Sequence, residues 1–268
     1  VSSVAADPAQ LRELAADIAR EAGALARQRR AEGVSLAATK STLADIVTEA
    51  DREVEDLIRT RLAAERPGDG FLGEESGAAE SETGVTWVVD PIDGTVNYAS
   101  GIPMYSVSIA AVQGDPVPGR WQALAAAVYM PMMDEMFEAS LGGGAWLGHE
   151  KLAVTTETPA GALLATGFGY DPATHDGDLA TVREVMPLAR DLRRMGSAAL
   201  DLAYVAAGRL DGYFERGLKP WDFAAGAMLV QEAGGLVSWL DAASARPLTV
   251  AAGPALHARL LNIVSDEK

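Results

Sequence analysis

The stretch that most constrains this chain is Trp87-Val88-Val89-Asp90-Pro91-Ile92-Asp93-Gly94-Thr95-Val96-Asn97-Tyr98. Its opening is an apolar run of β-formers bounded by turn signals, which reads as a buried strand. The run stops at an aspartate, followed by a proline, a second aspartate three residues on, and a glycine. Proline has no N–H for a central ladder, and glycine permits a tight turn. Two carboxylates are therefore expected where a strand ends, beside backbone N–H groups freed by the turn. Carboxylate oxygens are hard ligands for Mg²⁺, which binds one or two of them together with a substrate phosphate. The Gly94 and Thr95 amides, at the start of a predicted helix, are donors for phosphate oxygens. Taken alone, Asp-x-x-Asp is more often a surface turn behind a core strand, and the rest of the chain decides.

The pattern recurs. Phe71-Leu72-Gly73-Glu74-Glu75-Ser76 is a short apolar strand that again ends in carboxylates, and the small, polar residues 77–84 read as a loop. Asp222, in Trp221-Asp222-Phe223-Ala224-Ala225-Gly226, stands near a helix N-terminus. It is either a helix cap or a further acid brought to the same site. Asp51, among charged neighbours at the start of a second helix, reads by itself as a solvated acid. Lys40, in the polar segment 38–45, is a surface residue or part of a mobile loop bearing on the site. His149, His175 and His257 lie in no ligand-like spacing and read as surface residues.

Around these motifs the chain divides in two. Asp7-Pro8-Ala9-Gln10 starts a helix that ends before Gly33. A second helix runs from about Val47 to Pro67-Gly68, and then mostly antiparallel strands follow, with Gly142-Gly143-Gly144 as a hairpin turn. Beyond Pro159 strands and helices alternate: a strand at 163–166, helices at 178–190 and 198–207, a strand at 211–215, a helix from Trp221, a strand at 235–240 and a last helix at 254–261. The change of pattern predicts an N-terminal α+β lobe over 1–155 and a C-terminal α/β lobe over 156–268 that completes one catalytic unit.

Charge and composition exclude several classes. A formal net charge of -16 makes the chain a poor nucleic-acid binder. An acidic pocket for a phosphate ester requires metal ions to reverse the local sign. The lack of cysteine rules out disulfides, cysteine-ligated zinc and a cysteine nucleophile, and fits a reducing cytoplasm. No apolar run is long enough for a membrane span. Val1 to Arg30 carries acids among its apolar positions and is not expected to be a secretory signal.

Three blocks together resemble the inositol monophosphatase family of metal-dependent, lithium-sensitive phosphatases: Gly73-Glu74-Glu75-Ser76, the Trp87 to Asn97 stretch, and Trp221-Asp222 with its helix ending Glu232-Ala233-Gly234-Gly235. A looser block runs from Lys40 to Asp51. The resemblance spans roughly residues 8 to 260. It implies an α+β fold, the layered α-β-α-β-α sandwich of sugar and inositol phosphatases, and a homodimer. It also implies two to three Mg²⁺ ions. Glu74, Asp90 and the Ile92 carbonyl would hold one, Asp90, Asp93 and Asp222 a second, and Glu74 would touch a weaker third. By the same resemblance Gly94 and Thr95 bind phosphate, and Thr95, oriented by Asp51, helps activate water. Gly196, Ser197, Ala198, Glu215 and Asp222 would face the alcohol.

The implied substrate is a small phosphorylated polyol, inositol monophosphate. Histidinol phosphate, fructose 1,6-bisphosphate and 3′-phosphoadenosine 5′-phosphate are the alternatives with the same chemistry. Lys219 and Arg216 are candidates for a second phosphate. A non-catalytic binding protein on the same scaffold is the alternative of a different class.

Overall fold

Helix α1 (Pro8–Glu32) begins where the Asp7 side chain accepts from the Ala9 amide at 3.0 Å, with Pro8 in the first turn. Its buried face is mostly alanine, and it includes Gly23, where an added Cβ would lie 2.6 Å from the Tyr129 ring. Small residues thus let the helix lie close on the sheet beneath it. The structure, a computed structural model, describes residues 7–33, 36–39, 46–115, 119–241 and 244–264. Lys40 and the 40–45 part of the predicted loop lie outside the described residues.

A short pair, β1 (Leu36–Thr39) and β2 (Ile46–Thr48), runs antiparallel, and α2 (Glu49–Glu65) follows. The chain then lays down β3 (Gly70–Gly73), β4 (Gly77–Ala79) and β5 (Val85–Asp93), then the short helix α3 (Thr95–Ser100). Next come β6 (Ser106–Gly114), β7 (Trp121–Met130), β8 (Glu135–Ser140), β9 (Gly144–Leu147) and β10 (Glu150–Lys151). Apart from the β1-β2 pair, these strands form one sheet in the order β10-β9-β8-β7-β6-β5-β3-β4.

The second half contributes β11 (Ala162–Thr166), α4 (His175–Val185), β12 (Ala189–Arg193), α5 (Ala198–Ala206) and β13 (Gly212–Arg216). It continues with α6 (Pro220–Glu232), β14 (Leu236–Leu240), β15 (Leu248–Ala252) and α7 (Pro254–Val264). Its sheet has the order β12-β11-β13-β15-β14.

The apolar clusters define the layers. Val89, Ile109 and Tyr129 on one face of the large sheet bury Leu11, Ile18 and Val54 of α1 and α2. Val88, Ala110 and Val128 on the other face meet α5 and α6, which also cover Tyr213 and Ala251 of the smaller sheet. The outer face of that sheet holds Leu164, Phe214 and Val250 against Val185 of α4 and Leu260 of α7. The layering is therefore α-β-α-β-α, as expected. Strand β5 is buried on both faces, which is why it reads as a continuous apolar run.

Several local expectations are corrected. Residues 77–79 form strand β4 rather than loop, paired antiparallel with β3. The helix expected over 178–190 stops at Val185, and after a 3₁₀ turn residues 189–193 join the small sheet as β12. Ala-Arg-Asp-Leu-Arg carries the charges of an exposed edge strand and no apolar alternation. Strand β15 was not anticipated, although Leu248-Thr249-Val250 has the composition of one. His257 is buried, 4% exposed, not a surface residue.

Candidate active site

Strand β5 delivers Asp90 and Asp93 through a bulge. Asp90 pairs with Ser108 and Asp93 with Ser106, so β5 carries one residue more than β6 over this interval. The irregularity falls at Pro91-Ile92, where proline offers no ladder donor. In a regular strand residues three apart point to opposite faces. With the bulge, both aspartates line one cavity of about 530 Å³.

The turn beyond them is tightly determined. The Asp90 Oδ1 accepts from the Ile92 amide at 3.0 Å. The Thr95 hydroxyl has two acceptors in reach, the Ile92 carbonyl at 3.1 Å and Asp51 Oδ1 at 3.2 Å. Asp51 is buried at 1% exposure, unlike the solvated acid that its neighbours in sequence suggest. Gly94 has φ of 96°, and a Cβ there would meet the Met104 carbonyl at 2.9 Å and the Gly196 carbonyl at 3.1 Å. Only glycine suits both conditions.

The second half of the chain closes on the same turn. Ser197 caps α5, and its hydroxyl donates to Asp93 Oδ2 at 2.6 Å, as does the Ala199 amide at 2.7 Å. The Asn97 side-chain amide donates to the Met104 and Met195 carbonyls, both at 2.7 Å. Asp222, in the first turn of α6, accepts from the Lys219 amide at 2.7 Å, so it caps its helix while lining the cavity. Glu215 ends β13 and accepts a short hydrogen bond from the Tyr213 hydroxyl. A Cβ on Gly167 would fall 2.0 Å from the Glu215 carboxylate, so the glycine makes room for it.

Glu74 follows β3 on a turn held by a residue that sequence reasoning missed. Glu55 of α2, 1% exposed, accepts from the Glu75 amide at 2.9 Å and the Ser76 amide at 2.6 Å. Asp178, Arg194 and Arg246 were also missed. No local pattern marks any of them, because each acts on a segment distant in sequence. Of the residues singled out in the sequence, Glu74, Asp90, Ile92, Asp93, Gly94, Thr95, Gly196, Ser197, Ala198, Glu215 and Asp222 all line the cavity. Asp51 stands behind Thr95.

The acids raise one another. Burial, then Glu74, Asp93 and Asp222, push the Asp90 carboxyl well above its ordinary range. Burial pushes Asp93 up to about 6, against the lowering effect of its Ser197 and Ala199 bonds. Asp222 is raised by burial, then by Asp93 and Glu74. Glu215 is pushed up to about 7 by burial, opposed by the Tyr213 hydrogen bond and Arg194. Buried carboxylates that repel in this way favour protonation or a cation. The donor set of hard oxygens, including the Ile92 carbonyl, fits Mg²⁺. Among the described residues no three acidic or imidazole side chains form a ready-made cage.

A fold of this layering with acids at a bulged strand end defines a class, and comparison with known proteins agrees. The model of the inositol monophosphatase family matches residues 7–267. Inositol-1-monophosphatase SuhB of Mycobacterium tuberculosis (strain H37Rv) is 45% identical, over 95% of this chain and 93% of that protein. Nus factor SuhB of Escherichia coli K12 is 39% identical, over 95% of each. The crystal structure of extragenic suppressor protein suhB from Bartonella henselae superimposes with a TM-score of 0.87 at 33% identity, covering 97% of this chain and 100% of that one. The chain belongs to the inositol monophosphatase family.

Proposed function

We propose that this chain is a Mg²⁺-dependent phosphomonoesterase that hydrolyses myo-inositol monophosphate to inositol and phosphate. The observation that carries this reading is the convergence of Glu74, Asp90, Asp93 and Asp222 on one cavity with the Gly94-Thr95 turn and Glu215. Glu74, Asp90, the Ile92 carbonyl, Asp93 and Asp222 would hold two to three ions. Bound there, Mg²⁺ supplies charge neutralisation at the phosphoryl oxygens and acidifies water.

The chain's own groups do the rest. The Gly94 and Thr95 amides orient the phosphate. The Thr95 hydroxyl, held between Asp51 and the Ile92 carbonyl, positions the attacking water. Water adds to phosphorus and gives up a proton to solvent, the ester P–O bond breaks, and the leaving alkoxide takes up a proton from solvent. Glu215 and Asp222 accept hydrogen bonds from the alcohol, and a site built to accept them rejects alcohols that cannot donate. Gly196, Ser197 and Ala198 shape the same end of the cavity. The proposal extends to lithium sensitivity and a cytoplasmic homodimer.

Phosphate release from inositol 1-phosphate, histidinol phosphate, fructose 1,6-bisphosphate and 3′-phosphoadenosine 5′-phosphate tests the reading, with Mg²⁺, with chelator and with Li⁺. Mg²⁺-dependent, Li⁺-sensitive preference for inositol 1-phosphate supports it. Preference for another ester keeps the chemistry and changes the substrate. The name Nus factor, carried by the E. coli relative, favours as second reading a binding role on this scaffold. Folded, metal-loaded protein that turns over no ester would establish that one instead.

A further inference from the structure

One wall of the cavity is made by three segments distant in sequence: Gly167 to Asp171 after β11, Arg216 to Lys219 from the last residue of β13 onward, and Ala245-Arg246 before β15. The first and the last of them meet on one side chain that does not line the cavity, and the second is joined to them through Arg246. Asp178 of α4 is 5% exposed. Its Oδ2 accepts from the Gly169 amide at 3.0 Å, and its two oxygens lie 3.0 and 2.8 Å from Arg246 Nη2. The same Nη2 reaches the Arg216 carbonyl at 3.3 Å. An exposed ion pair contributes little to stability, but this carboxylate is buried, and removing one partner would leave the other unpaired.

The arrangement has two effects on the cavity. It pins Gly169, and with it Tyr170, which also lines the cavity. It also engages the Arg246 guanidinium, a group that by itself would recognise a carboxylate or phosphate through paired N–H donors.

We propose that Asp178 is a positioning and specificity-determining residue. By holding Gly169 and engaging Arg246, it aligns the alcohol wall and withholds Arg246 from a second anionic group, so that the cavity selects esters of neutral polyols. The inference rests on the phosphomonoesterase reading above and deepens it.

The test compares kcat/KM for inositol 1-phosphate and for fructose 1,6-bisphosphate in wild type, D178N, R246M and the double variant, all loaded with Mg²⁺. In D178N the ratio of the two is expected to fall by about tenfold, the low end of the discrimination that pocket contacts supply. It falls because KM for the inositol ester rises while the freed Arg246 favours the bisphosphate. In D178N/R246M the gain for the bisphosphate should disappear. A merely structural role would lower both esters in proportion, and that result in folded D178N overturns the inference. Should D178N not fold, R246M carries the test alone. A guanidinium already withheld by Asp178 contributes nothing to the bisphosphate, so R246M should leave the ratio unchanged, and a ratio that rises overturns the inference. Wild-type protein that hydrolyses neither ester overturns the phosphatase reading and this inference together. A wild type that turns over both, with folded D178N of unaltered ratio, overturns this inference alone.

Discussion

The Ser197 hydroxyl donates to the Asp93 carboxylate at 2.6 Å, between residues 104 positions apart. This bond ties the cap of α5 to the bulged end of β5. It also opposes the effect of burial on Asp93. Ser197→Ala should therefore raise the Mg²⁺ midpoint by about 10–100-fold, the usual effect of removing a partner behind a ligand. It should also cost about 1.5–3 kcal/mol of stability, as a hydrogen bond to a charged group does. Phosphate release against Mg²⁺ concentration and thermal melting measure the two. An unshifted Mg²⁺ midpoint would remove Ser197 from the site.

Asp93→Asn keeps the shape of the side chain and removes its charge. The protein should remain folded, because an amide oxygen still accepts from Ser197 and Ala199. Turnover should fall by more than the about 10–100-fold of a supporting partner. Near-normal phosphate release from this variant would count against a cation held by Asp93.

Glu55 is buried beneath the turn that carries Glu74 and accepts two backbone amides. Glutamine in its place turns an NH₂ group toward one of those donors. Glu55→Gln should destabilise the fold by about 1–3 kcal/mol, the penalty of an unsatisfied buried donor, and raise the Mg²⁺ midpoint. Denaturant unfolding and metal titration read the two effects, and a variant that moves neither would deny Glu55 its positioning role.

Metal-free protein should lose stability as pH rises. Burial chiefly raises Asp93 from 3.8 to about 6 and Glu215 from 4.5 to about 7, and raises Asp90 and Asp222 as well. A carboxyl with a folded pKa above its unfolded value binds more protons when folded. For Asp93 and Glu215 the penalty is absent below about pH 4, grows from there, and levels off only above their folded pKa values of about 6 and about 7; Asp90 and Asp222 add to it in the same direction. The melting temperature without metal should therefore decline over that window. Added Mg²⁺ should raise it more at the alkaline end, where protons no longer compete for the carboxylates. Glu215→Gln should flatten the decline, which general repulsion from a net charge of -16 would not produce. A metal-free melting temperature that rises across the window would contradict the assignment.

Much of the site was readable because its acids sit at places with local signatures. Glu74 and Asp90 each end an apolar strand, Gly94 marks a turn, and Asp222 begins a helix, and each signal lies within a few residues of the group it positions. The supporting residues have no such signature. Glu55 looks like one more exposed acid of a charged helix, Asp178 like an acidic first-turn residue, and Arg246 like a loop cation. Strand β12 escaped for a related reason, since a charged edge strand has no alternating pattern to read.

By itself, the sequence determined the two acid-bearing strand ends, the glycine turn between Asp93 and Thr95, and the amphipathic and apolar faces that stack into five layers. These follow from chain-local physics: periodicity, proline's missing donor and glycine's access to positive φ. Only the tertiary structure decided that a bulge would turn Asp90 and Asp93 into one cavity, that Ser197 would bind Asp93, and that Asp178 and Arg246 would together tie three loops. Those contacts join residues separated by long stretches of chain, and their partners are chosen by how the layers stack.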